Sequence, residues 1–484
     1  MTNFISAEDI PALRASKSAA YAARKERARK NAVRLIAVIF LIIIFDGSVR
    51  KYALPELEQY ANFLRDPFVA WLYAVALTHG FIRRHWILTF GLFLAVLASV
   101  LAVLQLLAGS NVSVSLLIFG FRQYFVLIPL PFIMSKVLRQ HDLDRLFRLA
   151  LWILIAMAPL MVVQVFSPRG SWVNIGRGLD VERFALLNFG EFVRAPGFFT
   201  AAMGPAYFLP FCGAILLSCW MLPRDRRPCS TTLFLLAAGA LCVALSVAGN
   251  RTAIVLSLFV LLASIPAAIL MVRSSRSAPK SLIGIVLLCV VGLTVAALLF
   301  PDQYDALYNR WSGANALTDA ELGVSYGPFA ILARAVRDML NVVDVISATP
   351  LVGFGLGLGT NAATILIAAD SFLPPAEPAL SRHIIDLGPV VGVIFIVFRF
   401  VLATWLGMIA WRTSRQHHDP RAWMLYSVTG TILLTGLIHE QSTASGLVWY
   451  WIGLILATAA QKNPMPDDTY NSSAITGTQS GRLT

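Results

Sequence analysis

WILTFGLFLAVLASVLAVLQLL, residues 86–107, follows the basic triplet RRH and carries no charged residue. A bilayer's hydrocarbon core is about 30 Å thick and takes roughly 20 helical residues to cross, so this stretch predicts a transmembrane helix. Similar apolar segments lie near 32–49, 66–82, 113–135, 149–166, 201–222, 231–248, 252–272, 281–300, 387–411, 423–438 and 444–461. The chain is 57% hydrophobic and 13% charged over 484 residues, with a mean hydropathy of +0.71, outside the range of soluble globular proteins. The predicted fold class is all-α, a polytopic membrane protein of about 12 transmembrane helices.

Basic residues are retained in cytoplasmic loops. With the amino terminus inside, RKERARK, RRH, KVLRQHDLDRLFR, RDRR, RSSRSAPK and RTSRQHHDPR all fall on the cytoplasmic side, which with both tails included holds roughly two thirds of the lysines and arginines. Both termini are therefore expected in the cytoplasm, with residues 1–31 a basic tail, 32–461 the membrane domain and 462–484 a polar tail expected to be disordered. The net charge of +13 is a topology signal and a match to anionic lipid in the bilayer, and gives no reason to invoke nucleic acid. Trp86, Trp220, Trp411 and Trp423 fall at cytoplasmic helix ends, where an aromatic belt belongs. The start is not a cleavable signal peptide, because the first apolar run begins late and no small-residue cleavage site follows. Cys212, Cys219, Cys229, Cys242 and Cys289 all fall in helices or on the cytoplasmic side, so no disulfide framework is expected outside. No metal-ligand spacing and no cofactor motif is present.

This topology leaves two long outer loops, 167–200 and 301–386, where function is expected. In the second, Phe329, Leu332, Val336, Leu340 and Val343 recur at helical spacing. They predict an amphipathic helix, either lying on the outer membrane surface or packed on the bundle. Gly353, Gly355, Gly357 and Gly359 follow. Lacking a surrounding strand and helix, they are not a nucleotide loop. Close helix packing is the favoured reading. The functional one has Thr360 cap a helix whose amino terminus faces an anion, with Gly355 and Gly357 in the binding set.

Arginines mark the outer ends. Arg251, in GNRTA beside Asn250, turns a helical hairpin, and Arg194 and Arg382 each stand just before a segment returns to the membrane. Arg122 lies inside its segment, where a charge costs roughly 2.5–3.5 kcal/mol. No Asp or Glu sits inside segments two to twelve to pair with it. Carbonyls freed by Pro129 and Pro131, or an anionic ligand, are the candidate partners. Arginine suits phosphate because its planar fork donates paired hydrogen bonds and stays charged.

FDGSVRKYALP (45–55), RAPGFF (194–199), GNRTA (249–253), PLVGFGLG (350–357) and EPALSRHIIDLGPVVG (377–392) together resemble the signature patches of the O-antigen polymerase and O-antigen ligase-like superfamily of bacterial envelope proteins. The resemblance implies a helical glycosyltransferase of the inner membrane, and since the outer loops hold no Asp-x-Asp arrangement to carry a divalent ion, a metal-independent, cofactor-free one is expected. It would take a glycan from an undecaprenyl diphosphate-linked oligosaccharide on the periplasmic side, with other polysaccharide assembly and export proteins as partners. Ligase-type members are expected to carry a His-Asn pair about nine residues ahead of an acidic-x-Gly. Asp386-Leu387-Gly388 supplies the latter, but Glu377-Pro378 stands in place of the former, which leans toward a polymerase of surface or exopolysaccharide units.

In such a transfer negative charge builds on the departing diphosphate and must meet cations. Arg194, Arg251, Arg382 and Arg122 are the candidates. The acceptor hydroxyl needs a base. Glu377 is the first choice, with His383, Asp386 and the pair His439 and Glu440 as rivals. A lipid-linked oligosaccharide flippase and a non-catalytic export component are the alternatives from other classes.

Overall fold

The computed structural model describes residues 9–53, 63–108, 112–175, 188–189, 192–272, 294, 298, 300–323, 325, 327, 330–360, 363 and 379–462. The expected segment 281–300, which includes Cys289, lies almost wholly outside them, as do Glu377 and residues 463–484. In chain order the helices are α1 (Asp9–Ser48), α2 (Asp66–His79), α3 (Trp86–Leu107), α4 (Val114–Phe125), α5 (Leu130–Val137), α6 (Gln140–Phe166), α7 (Trp172–Ile175), α8 (Met203–Met221), α9 (Thr231–Val247), α10 (Arg251–Val272), α11 (Pro301–Leu322), α12 (Ala330–Ala348), α13 (Ala379–His417), α14 (Arg421–Thr435) and α15 (Ser442–Lys462). The strand pairing among the described residues is a two-residue ladder of Asn188–Phe189 with Phe192–Val193. The chain is an all-α, multi-pass membrane protein. Eight of its described helical stretches are long and apolar enough to cross a bilayer, α4 and α5 together counting as one. Of the other predicted segments, those at 66–82, 231–248 and 423–438 form the shorter helices α2, α9 and α14, of 14, 17 and 15 residues.

The core runs along α8 and α15. Trp451 of α15 is fully buried and stacks on Phe211 of α8 at 4.5 Å, while Tyr450 stacks on Phe40 of α1 at 4.9 Å. Around this centre α3, α10 and α13 turn apolar faces outward, among them Phe93, Val96, Val100, Phe259, Leu262, Ile265, Val393 and Val397. Water would not tolerate so continuous an apolar belt, and lipid does.

Hydrogen bonds gather the connections at two ends of the bundle. At one, Arg29 of α1 bonds Asp142 of α6 at 2.7 Å, Arg421 bonds Asp144 at 3.2 Å and Gln461 bonds the Leu138 carbonyl at 2.7 Å. The stretch read as a tail is thus mostly helix, continuous with α1 from Asp9. Its Ala, Lys, Arg and Glu favour helix, and Glu26 pairs with Arg29 one turn on. At the other end Ser48 bonds the Phe198 carbonyl at 3.1 Å, Asn250 the Ala202 carbonyl at 3.0 Å, and Arg382 meets Glu440 at 3.1 Å.

Prolines shape two of the helices. Pro129 and Pro131 part α4 from α5, and the hydroxyl of Tyr73 takes the Val126 carbonyl in the break at 2.6 Å. In α13 Gly388 has φ +72° ahead of Pro389, so a short helix ending at Leu387 is kinked against the long remainder. The amphipathic α12 packs against α13 yet leaves Val336, Leu340 and Val343 more than half exposed. Those three members of its apolar stripe face away from the bundle that the helix packs on.

Candidate functional site

The second end of the bundle holds the predicted arginines, and the structure sorts them into three groups. The first is built on the turn between α9 and α10. Gly249 takes φ +58°, Asn250 accepts from the Thr252 amide at 2.9 Å as a helix cap, and its side-chain amide ties the turn to the start of α8. Asn250 therefore has a structural task. Arg251 then opens α10 close to Arg194. Burial first, and the Arg251 charge second, push the Arg194 pKa below the ordinary guanidinium value. Arg194 Nε is buried without a hydrogen-bond partner. Two cations close enough to repel one another, one with an unused donor, form an arrangement that an anion would complete.

The second group surrounds Arg122, for which the sequence offered no carboxylate inside a segment. Its partner is Asp66, the first residue of α2, in direct contact with Arg122 Nε. Arg122 also reaches Ser442 Oγ at 3.3 Å and lies over the rings of Phe63 and Phe119. Nearby, Asp46 pairs with Arg50 at 2.6 Å, and Arg65 donates to the Ser442 carbonyl at 3.0 Å. Arg65 is pushed down to about 10 by burial and then by Arg122. Ion pairing at the ends of α1, α2 and α15 thus accounts for Arg122, which neutralises an intramembrane charge locally.

The third group centres on Asp386. Its Oδ1 accepts from the Gly359 amide at 2.7 Å, and its Oδ2 accepts from the Tyr124 hydroxyl at 2.9 Å. His383 Nδ1 lies 3.0 Å from that hydroxyl, and His383 Nε2 lies 2.6 Å from Arg399 Nη1. A guanidinium only donates, so His383 Nε2 accepts and Nδ1–H must donate to Tyr124. The chain of donation runs in one direction, from Arg399 through His383 and Tyr124 to Asp386. The remaining donors of Arg399 hold the carbonyls of Leu433 and Gly436 at 3.0 and 2.9 Å, which joins α13 to the end of α14.

The glycine run serves this hub. Gly357, at φ +100°, packs backbone to backbone against Gly120 of α4, where a side chain on either would collide at 2.6 Å. Gln105 of α3 donates to the Val352 and Asp386 carbonyls and accepts from the Leu356 amide. Gly355 is pressed on Val112. Close packing is the observed role of these glycines. Thr360 donates its hydroxyl to the Gly357 carbonyl at 2.6 Å, and of residues 361–378 beyond it only Ala363 is described.

His383 has both ring nitrogens engaged and is fully enclosed, a position that suits orienting Tyr124 and Asp386 better than meeting a substrate. Arg382, one turn before Asp386 on the same helix, donates to the Gly359 carbonyl at 3.0 Å and pairs with the partly exposed Glu440. Beside it His439 stacks on Tyr124 with centroids 4.2 Å apart and donates Nδ1–H to the Gln123 carbonyl at 3.1 Å. Burial and then Arg399 push its pKa down to about 3.

Sequence reasoning missed Tyr124, Gln105 and Arg399. Arg399 was the findable one, since an arginine deep inside segment 387–411 is as conspicuous as Arg122. Among the described residues no three His, Cys, Asp or Glu side chains gather as metal ligands would, and four cysteines are free thiols. No known family model matches this chain, and no curated protein is detectably similar to it.

Proposed function

We propose that this protein binds a polyprenyl diphosphate-linked glycan at the end of the bundle that carries Arg194 and Arg251, and transfers that glycan to an acceptor hydroxyl, most simply in polymerising surface or exopolysaccharide units. The supporting observation is the Arg194 and Arg251 pair: like charges brought together at a membrane-edge turn, with a buried Nε unused. A diphosphate on a lipid carrier brings two or more negative charges to that depth, and the paired forks can meet the charge that grows as the glycosyl bond breaks.

In the reaction the acceptor oxygen attacks the anomeric carbon, the bond from that carbon to the diphosphate breaks, and the hydroxyl proton passes to a carboxylate. Glu440, partly exposed and paired with Arg382, is the first candidate among the described carboxylates. Glu377 is the further candidate. The Asp386 hub positions Arg382 and the 359 turn. The reading places this end in the periplasm of a bacterial inner membrane, both termini in the cytoplasm, and α2, α9, α14 and segment 281–300 among about 12 spans, following the basic-residue bias.

The test is purified protein in liposomes with a synthetic polyprenyl diphosphate-linked glycan. Longer glycan products, lost in Arg251→Ala at equal protein level, are expected. Unchanged donor with the wild type, or equal product from Arg251→Ala, would remove the proposal.

A further inference from the structure

At the opposite, basic end a cleft of about 360 Å³ opens between α5, α13 and α15 under the turn that joins α2 to α3. Its rim carries Arg83 from that turn and Arg412 from α13, and its wall is Trp405, Phe132 and Leu456, with His85 packed on Trp405 at 4.6 Å. Trp405 and Arg412 are two helical turns apart, so the apolar wall continues about 10 Å inward from the cationic rim.

Among the described residues neither Arg83 nor Arg412 makes a hydrogen bond or an ion pair. Four carboxylates at this end are already committed: Glu26 to Arg29 and Arg139, Asp142 to Arg29, and Asp144 and Asp419 to Arg421. The cleft therefore combines two cations lacking counter-charges with an aromatic and aliphatic interior. A soluble anion would satisfy the rim and waste the wall. A zwitterionic lipid would fill the wall and leave the rim half matched.

We infer that this cleft binds an anionic phospholipid, its phosphate and headgroup between Arg83 and Arg412 and an acyl chain along Trp405, Phe132 and Leu456. Basic pockets between helices at a membrane face take acidic headgroups through charge, and the chain is held by apolar burial. The inference stands apart from the transfer reaction at the other end.

Brominated phosphatidylcholine in nanodiscs quenches tryptophans it touches, and the signal lost on W405F isolates Trp405 from the other tryptophans. Unbrominated phosphatidylglycerol should relieve this component on the order of tenfold more effectively than unbrominated phosphatidylcholine. R83Q/R412Q should bring the two lipids near parity. R412Q alone alters an exposed side chain and should fold in any case, losing roughly threefold of the preference. Parity in the wild type, or an undiminished preference in R412Q and the double variant, would overturn the inference. So would loss of the preference in millimolar inorganic phosphate, which would assign the rim to a soluble anion.

Discussion

Arg399 donates to His383 at 2.6 Å, and that one contact sets the direction of every hydrogen bond between it and Asp386. Because arginine has no lone pair to offer, His383 must keep its proton on Nδ1, Tyr124 must receive that proton's hydrogen bond, and the Tyr124 hydroxyl must turn to Asp386. The cation and the carboxylate of α13 are thereby coupled through two rings. Tyr124→Phe leaves Asp386 Oδ2 and His383 Nδ1 buried without this partner, and should cost about 1–3 kcal/mol, measured as a fall in the thermal midpoint of the purified protein.

Arg251→Lys should abolish donor turnover nearly as thoroughly as Arg251→Ala, because a point charge cannot reproduce paired donation to a diphosphate. Product formation from a synthetic lipid-linked donor is the measurement. Recovery of activity in the lysine variant would make Arg251 an interfacial anchor.

Glu440→Gln keeps size but cannot take a proton. If Glu440 is the base, turnover falls by roughly a hundred- to ten-thousand-fold while donor affinity changes little. Near-normal turnover moves the assignment to Glu377, where the same substitution should then show the loss.

Breaking the pair between Asp66 and Arg122 strands the buried guanidinium, while Asp66 itself keeps 24% of its side-chain surface exposed. Solvent screening tempers the loss, so Asp66→Asn should destabilise the protein by about 1–3 kcal/mol, and Asp66→Leu with Arg122→Met together by less than those two single changes summed. Denaturation in mixed micelles reads the difference. Additive losses would mean that the two residues act independently.

His439 supplies a pH dependence. An unfolded histidine titrates near 6.5, whereas the folded chain holds His439 down to about 3. Between those values the unfolded state binds the additional proton. The neutral ring's contribution is therefore complete above about pH 6.5 and is lost as pH falls toward 3. The thermal midpoint should drop on acidification across that window, and His439→Gln should flatten the drop. An unchanged slope would show that His439 is not shielded in solution.

A cysteine placed at the exposed Ala316 in α11, in a background without the five natural cysteines, should react with a membrane-impermeant maleimide in intact spheroplasts. Labelling only after lysis would invert the proposed orientation.

Composition and segment length alone determined that this chain is a helical membrane protein, because hydrocarbon demands that every backbone hydrogen bond be closed, and a continuous apolar segment of about 20 residues closes its own bonds as a helix. The same local logic exposed the break at Pro129 and Pro131, the glycine packing at 353–359 and the amphipathic stripe of α12. Partnerships between segments were decided by the tertiary structure. Asp66 at the start of α2 reaches Arg122 of α4 across the fold, and Asn250 ties the α9 and α10 turn that carries Arg251 to Ala202 at the start of α8. The Asp386 hub draws on α3, α4, α13 and the 359 turn at once. Such contacts arise where helix faces cross in space, and one-dimensional spacing carries no record of which faces those will be.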